Sequence, residues 1–312
     1  FFFLAMSSQA SEDDAEKRHY NEVVASMRHY YFFFRITIVK RMVKHHGRLT
    51  PAQTALLPGG AAGVKTKCKA YDDALRANQR FYDRVLLHMG EAPSALTVDF
   101  DPSTVKKPSV SLGSWRVPTH HANKLSGTLH ALSRDWSSDG APERVEAYTP
   151  ILGALRRHVD IGSQVLVPGS GLSRLCCEIA GQGFKSQGND FDLFMLFVSD
   201  FMLNGLKTMP SGDGSSQSPE VVVVYPWAHA LCNNRSHADP TNGALRPVEV
   251  PDVPAAVIMF GDGTDEDEEG GEEAVVAAWT PPPVLPLPTT LATTTVTTTA
   301  AAAAAAAAAT SL

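Results

Sequence analysis

Between Val165 and Asp190 the chain reads VLVPGSGLSRLCCEIAGQGFKSQGND. The apolar run Val165-Leu166-Val167 feeds a Gly-Ser-Gly turn at Gly169 and Gly171. An amphipathic segment follows, and after Gly183 a second short extended piece ends in Asp190. This order predicts a buried strand, a glycine turn, a helix and a second strand that closes on a carboxylate, the layout of a nucleoside-binding half-unit. Glycine lets the backbone come close to a ligand where a Cβ would collide with it. Asp190 follows Gly169 at roughly the 20-residue spacing that sets an acid against ribose hydroxyls. The competing reading is a tight turn in any α/β domain.

A dinucleotide fingerprint needs a further glycine at the sixth position, and here that position is Arg174. The missing glycine would let the helix pack beneath a pyrophosphate, so its absence weighs against NAD or FAD. A ligand with ribose and adenine but no phosphates, such as S-adenosyl-L-methionine, needs only the first turn and the acid.

Charge and cysteine usage narrow the field. A net charge of −6 over 312 residues gives no global basic footprint for nucleic acid. Cys68, Cys176, Cys177 and Cys232 form no CxxC pair, and neighbouring residues on a helix diverge by about 100°. They read as reduced thiols of a cytoplasmic or nuclear protein. His45-His46 and His120-His121 lack two further ligands at a suitable spacing, so no metal site is expected. Tyr30 to Val39 is apolar but short and broken by Arg35, so a buried element is expected there and no membrane span.

Along the chain, residues 1–17 read as a disordered leader and 18–160 as a helical region. Helical patterns cover Glu16–Tyr31, the TPAQTALLP segment from Thr50 to Pro58, Cys68–Met89, Leu125–Trp136 and Glu143–Val159. Val98–Trp115 is proline-broken and reads as a loop. Residues 161–263 read as an α/β unit with strands at 164–168, 184–188 and 255–260 and helices at 172–182 and 191–204; Ser211–Pro219 reads as a Gly/Ser loop. The acidic, proline-rich and Thr/Ala tracts of 264–312 read as a disordered tail.

Several blocks, in this order, resemble the carnosine N-methyltransferase family. They are SRDWSSDGAPERVEAYTPIL (133–152), VLVPGSGLSRLCCEIAGQGFKSQGNDFDLFMLFVSDFMLN (165–204), YPWAHALCNNRSHADP (225–240), RPVEVPDV (246–253) and Gly261-Asp262. Leu56–Pro58 and the helix around Asn78 are also similar to the family's start. The resemblance implies a Rossmann-like methyltransferase sheet behind a helical N-terminal region. It also implies S-adenosyl-L-methionine as cofactor and the imidazole of carnosine or a related histidine dipeptide as methyl acceptor, giving anserine. The family's cofactor contacts fall on Arg134, Gly169, Gly171, Asp190 and Asp262. Arg134 would hold the methionine carboxylate, Asp190 the ribose and Asp262 the adenine amine.

The chain departs from the family at Ala131, where a glutamine is expected, and at Gly263, where a phenylalanine is expected. It departs again at Ser173, which stands for the last glycine of GxGxG and is expected inside the helix. The family's later strands carry an aspartate, a histidine and a tyrosine that hold the dipeptide. Nothing after Asp262 matches them, and all eleven histidines lie at or before His237. The sheet is therefore expected to be incomplete, cut off after its third strand, and no catalytic residue is assigned. Two further readings stay open: a catalytically dead homologue acting as an interaction protein, and a dinucleotide oxidoreductase. Neither a nucleic acid nor a membrane is expected as partner, and homodimerisation stays open.

Overall fold

In a computed structural model of the chain the described residues are 2–94, 117–206, 208–210, 217–229, 243–260 and 294–297. In chain order the elements are α1 (Phe2–Arg28), α2 (Tyr30–Phe34), α3 (Lys40–His46), α4 (Pro51–Ala55), α5 (Gly60–His88), α6 (Thr119–Asp135), α7 (Ala141–His158), β1 (Gln164–Pro168), α8 (Arg174–Ala180), β2 (Lys185–Asp190), α9 (Leu193–Asp200), β3 (Thr208–Pro210), β4 (Gln217–Pro219), β5 (Val222–Val224), β6 (Val248–Val250), α10 (Ala255–Phe260) and β7 (Thr294–Thr297). Among the described residues the architecture is mixed, mostly helix with three small sheets. No helix among the described residues is long and apolar enough to cross a membrane.

Two compact units emerge. The helical unit comprises Lys17–Ser133 and Val221–Val250; the other comprises Phe1–Glu16, Arg134–Glu220 and Pro251–Leu312. Residues 221–250, expected with the α/β part of the chain, thus belong with the helices.

The core of the helical unit is built on Val23, Val24 and Met27 of α1, Tyr30, Tyr31 and Phe34 of α2, Leu75, Phe81, Val85 and Leu86 of α5, and Leu125, Leu129 and Leu132 of α6, all buried. The helix breaks at His29, and the break has an identifiable cause. Buried Gln79 accepts from the Tyr31 N–H at 2.8 Å and donates to the Met27 carbonyl at 3.1 Å. Its amide replaces the helical bond that these two groups would otherwise share, a side-chain insertion that kinks helices. Asp72, fully buried, accepts from the Tyr31 hydroxyl at 2.8 Å and pairs with Arg35 and Arg76 at 3.2 and 2.8 Å. Thr50 caps α4 in a reciprocal capping box with Gln53, so the expected helix start is observed.

β5 and β6 pair antiparallel, and Asn78 ties their segment to α5. Its amide donates to the Tyr225 carbonyl at 2.9 Å and accepts from the Tyr225 N–H at 2.7 Å, imitating a strand partner. Asn78 also donates to the Tyr30 hydroxyl, which therefore donates in turn to His229 Nε2. The His229 ring packs against Phe34, with centroids 4.2 Å apart. Burial, followed by neighbouring His130, pushes the His229 imidazole down to about 3.

In the second unit β1 and β2 are parallel neighbours, in register from Gln164↔Lys185 to Pro168↔Asn189, with α8 as their crossover. The expected strand at 255–260 is instead helix α10. It packs on α8 at Gly181, where a Cβ would stand 2.2 Å from the Ile258 carbonyl oxygen. Three other expectations are revised. The leader is helical from Phe2. β1 is not buried, with Leu166 58 % exposed. The third strand of this sheet is β7, drawn from the tail and antiparallel to β2. Residues 264–293 and 298–312 of the expected tail, and the loop at 98–115, lie outside the described residues. So do 211–216 of the Gly/Ser loop, whose end forms β4.

The His229 geometry sets a pH dependence. From about pH 6.5 downward the unfolded chain takes up a proton there that the folded chain refuses until about pH 3. This contribution to stability is complete above that window and is lost as pH falls through it. Urea midpoints measured from about pH 7.5 to about pH 5 should fall in the parent chain and fall less steeply in His229→Phe. Equal slopes would remove the assignment.

Candidate functional site

The bend between β1 and α8 uses three left-handed residues, Gly169 at φ +64°, Gly171 at +54° and Ser173 at +61°. Only glycine takes this conformation without steric penalty. A Cβ built on Gly169 or Gly171 meets no atom within 4 Å, so both glycines face open space. Beneath the bend, Gly188 of β2 has no such room. Its Cβ would lie 2.7 Å from Ser170 Oγ and 2.8 Å from Cys176 Sγ. The bend is stitched to β2 by the Ser170 N–H, which donates to the Asn189 carbonyl at 2.8 Å.

Asp190 completes this arrangement. It ends β2, alongside the strand that ends at Pro168. Its Oδ2 accepts from the Gly171 N–H at 3.0 Å and its Oδ1 from the Asp192 N–H at 2.9 Å. Asp192 in turn caps α9 by accepting from the Phe194 N–H. Gly169, Gly171 and Asp190 are therefore brought together at the C-terminal ends of two adjacent parallel strands. Open α/β sheets hold their ligands at that end.

Ser173 is not inside the helix. It is the N-cap of α8, and its left-handed backbone is held by its N–H to the Ser170 carbonyl at 2.8 Å. A bond from Ser199 Oγ to its own Oγ, also 2.8 Å, adds to this support.

A buried polar network that sequence reasoning did not anticipate supports the bend. Trp136 Nε1 donates to the Leu172 carbonyl at 3.0 Å, fixing the residue after Gly171. Arg174 lies over the Trp136 ring at 5.1 Å and pairs with Asp252 at 2.7 Å and Glu178 at 2.9 Å. Arg144 pairs with the other oxygen of Asp252 and donates to the carbonyls of Arg134 and Ser137. Burial by itself would lower the proton affinity of Arg174, but the bonds to Asp252 and Glu178 outweigh it and raise it. Asp135, at the end of α6, is pushed up to about 6 by burial, against the opposing pull of Arg134, Arg144 and Arg174. The only sequence signal for this network was Arg174 itself, an arginine where a dinucleotide fold would place glycine.

Arg134 is more exposed. Its guanidinium pairs with Glu143 of α7, and both side chains are over half exposed. Asp262 lies outside the described residues.

Residues 114–261 match the family model described as carnosine N-methyltransferase. The carnosine N-methyltransferase of Rattus norvegicus is 38% identical over 141 residues, 43% of this chain and 32% of the relative. The carnosine N-methyltransferase unmet of Drosophila melanogaster is 37% identical over 136 residues, 42% of this chain and 27% of the relative. A Dictyostelium discoideum carnosine N-methyltransferase is 28% identical over 224 residues, 69% of this chain and 44% of the relative. The chain thus spans only about a third of the length of its rat relative.

Asp252 holds two buried arginines, and removing it leaves Arg144 without its carboxylate and Arg174 with Glu178 alone. Asp252→Ala should cost about 3–5 kcal/mol in urea denaturation, whereas Arg134→Ala, which breaks an exposed pair, should cost at most ~1 kcal/mol. Comparable losses in the two variants would show that the network does not hold the bend.

Proposed function

On the premise that residues 114–261 are a segment of the carnosine N-methyltransferase family, we propose that this chain binds S-adenosyl-L-methionine in a Rossmann-like half-site. The acceptor we propose is the imidazole of carnosine or a related histidine dipeptide, with anserine as the product from carnosine. The observation that carries the reading is the Asp190 carboxylate, bonded to the Gly171 N–H at the glycine bend.

The residues present fit the cofactor. Each Asp190 oxygen accepts one backbone N–H, which orients the carboxylate. A carboxylate has about four lone-pair positions, so two remain for a pair of ribose hydroxyls. The open space over Gly169 and Gly171 accommodates a nucleoside at a distance a side chain would forbid. Arg134 is the proposed partner of the methionine carboxylate, exchanging Glu143 for it. Exposed ion pairs of this kind contribute little, so the exchange costs little. Asp262 is the proposed partner of the adenine amine.

When bound, the cofactor would supply a methyl carbon that takes the acceptor nitrogen's lone pair as its bond to the sulfonium sulfur breaks in line, leaving a neutral thioether, and the methylated imidazolium would release its N–H proton to water. The acceptor imidazole is neutral above about pH 6.5 and offers one nitrogen for this purpose. What the chain contributes is position. The Trp136–Leu172 bond and the Arg174–Asp252 pair hold the bend rigid while the ligand settles. No residue of this chain is assigned to proton transfer.

Calorimetric titration of S-adenosyl-L-methionine into the purified chain should give saturable binding. In Asp190→Asn the affinity should drop roughly tenfold to a hundredfold, from the ~1.5–3 kcal/mol that hydrogen bonds to a charged group contribute. Mass spectrometry of carnosine incubated with chain and cofactor then tests turnover. A folded chain that binds no cofactor would end the proposal. Binding without methylation would point to a non-catalytic homologue.

A further inference from the structure

His19, Glu22 and Ser26 lie along one stripe of α1, since positions three and four apart share a helix face. His121, in the first turn of α6, stands against that stripe within the helical unit. One ligand atom from each of His19, Glu22 and His121 lies within 4.8 Å of the others. His19 and Glu22 are exposed and His121 is buried. Sequence spacing alone offered His121 no partners, because they come from a helix about a hundred residues away.

The tautomer of His121 follows from counting protons. Ser26 Oγ donates its single hydrogen to the Glu22 carbonyl at 2.7 Å. At its 2.8 Å contact with His121 Nδ1 the hydroxyl must therefore accept, and Nδ1 carries the proton. Nε2 then presents a lone pair. Metal-bound histidines are oriented in this way, donating the other ring N–H to an outer partner. Burial, then the adjacent His120, lowers the His121 imidazole from its usual range, an effect that His19 and Lys124 reinforce and Glu22 opposes. A ligand must be neutral, and the direction of this shift favours the neutral ring.

We propose that His19, Glu22 and His121 form a binding site for a divalent transition-metal ion, zinc by the preference of a two-imidazole, one-carboxylate set, which clamps α1 to α6. Ligands about 2.0–2.2 Å from a tetrahedral ion stand roughly 3.3–3.6 Å from one another. The exposed His19 and Glu22 side chains close inward on the fixed His121 to reach that spacing, and water completes the shell.

The test is calorimetric titration of zinc chloride into the full chain after treatment with a chelator. The expected result is one ion per chain, with affinity falling roughly ten- to a hundredfold in Ser26→Ala, which removes the orienting partner, and at least as far in His19→Ala and Glu22→Gln. His19 and Glu22 are exposed, so these two variants keep the fold, and circular dichroism checks that they do. Cobalt substitution should give visible bands without thiolate charge transfer. Unchanged affinity in His19→Ala and Glu22→Gln, thiolate bands, or no zinc binding would each overturn the site.

Discussion

Asp252 sits between two arginines, giving Oδ1 to Arg174 and Oδ2 to Arg144. An arginine cannot shed its charge inside a protein, so each one buried here demands a carboxylate. Apart from the Arg174–Glu178 pair, the remaining bonds of the network go to backbone. Arg144 takes up the carbonyls of Arg134 and Ser137, Arg174 that of Asp135, and the Asp252 N–H that of Trp136. Four carbonyls where α6 passes into α7 are thus answered, those of Asp135 and Trp136 from distant parts of the chain. The link is so tight that a Cβ on Gly140 would stand 1.9 Å from the Arg134 carbonyl oxygen. Buried ion pairs add little net stability compared with apolar packing, but they tolerate few geometries. In this chain that selectivity sets where Trp136 stands, and Trp136 holds Leu172 at the bend.

The bend and its acid were legible in sequence because their determinants are local. Positive φ at two glycines, an apolar run before them and an acid about 20 residues later leave few arrangements open. The helices at 68–89, 125–136 and 143–159 were legible through their apolar periodicity, to within a few residues at most ends. Ala255–Phe260 was misread for a physical reason. Six apolar residues in a row carry no periodicity, so strand and helix look alike. The choice is made by tertiary contact, where α10 lays the Ile258 carbonyl against Gly181. Sequence could not show that Asp252 joins Arg174 and Arg144, or that His121 meets Ser26, since these partners lie on separate segments.

The sheet explains another discrepancy. A parallel pair of strands is ordinarily covered on both faces, which is why the run Val165-Leu166-Val167 suggested burial. Among the described residues β1 pairs with β2 alone, and β7 lies on the far side of β2. β1 is left as an edge, and the exposure of Leu166 follows directly. An edge strand with apolar side chains in water is a poor place to anchor a binding site. The bend takes its rigidity from elsewhere, through the ties of Ser170 to Asn189, Gly171 to Asp190 and Leu172 to Trp136.

Ser173 shows how far those ties determine the backbone. A residue with a Cβ in left-handed conformation gives up about 1–2 kcal/mol, and a glycine would avoid that cost. Serine holds the position because its N–H reaches the Ser170 carbonyl and its hydroxyl is met by Ser199 on α9. The bend therefore keeps its shape with serine where the resembling family has glycine. The same exchange at Gly188 meets a different obstacle, Ser170 and Cys176 lying under 3 Å from where a Cβ would go. Glycine at 173 is a matter of backbone preference that neighbouring hydroxyls can offset, whereas at 188 it is a matter of volume, since the Ser170 and Cys176 side chains would have to shift.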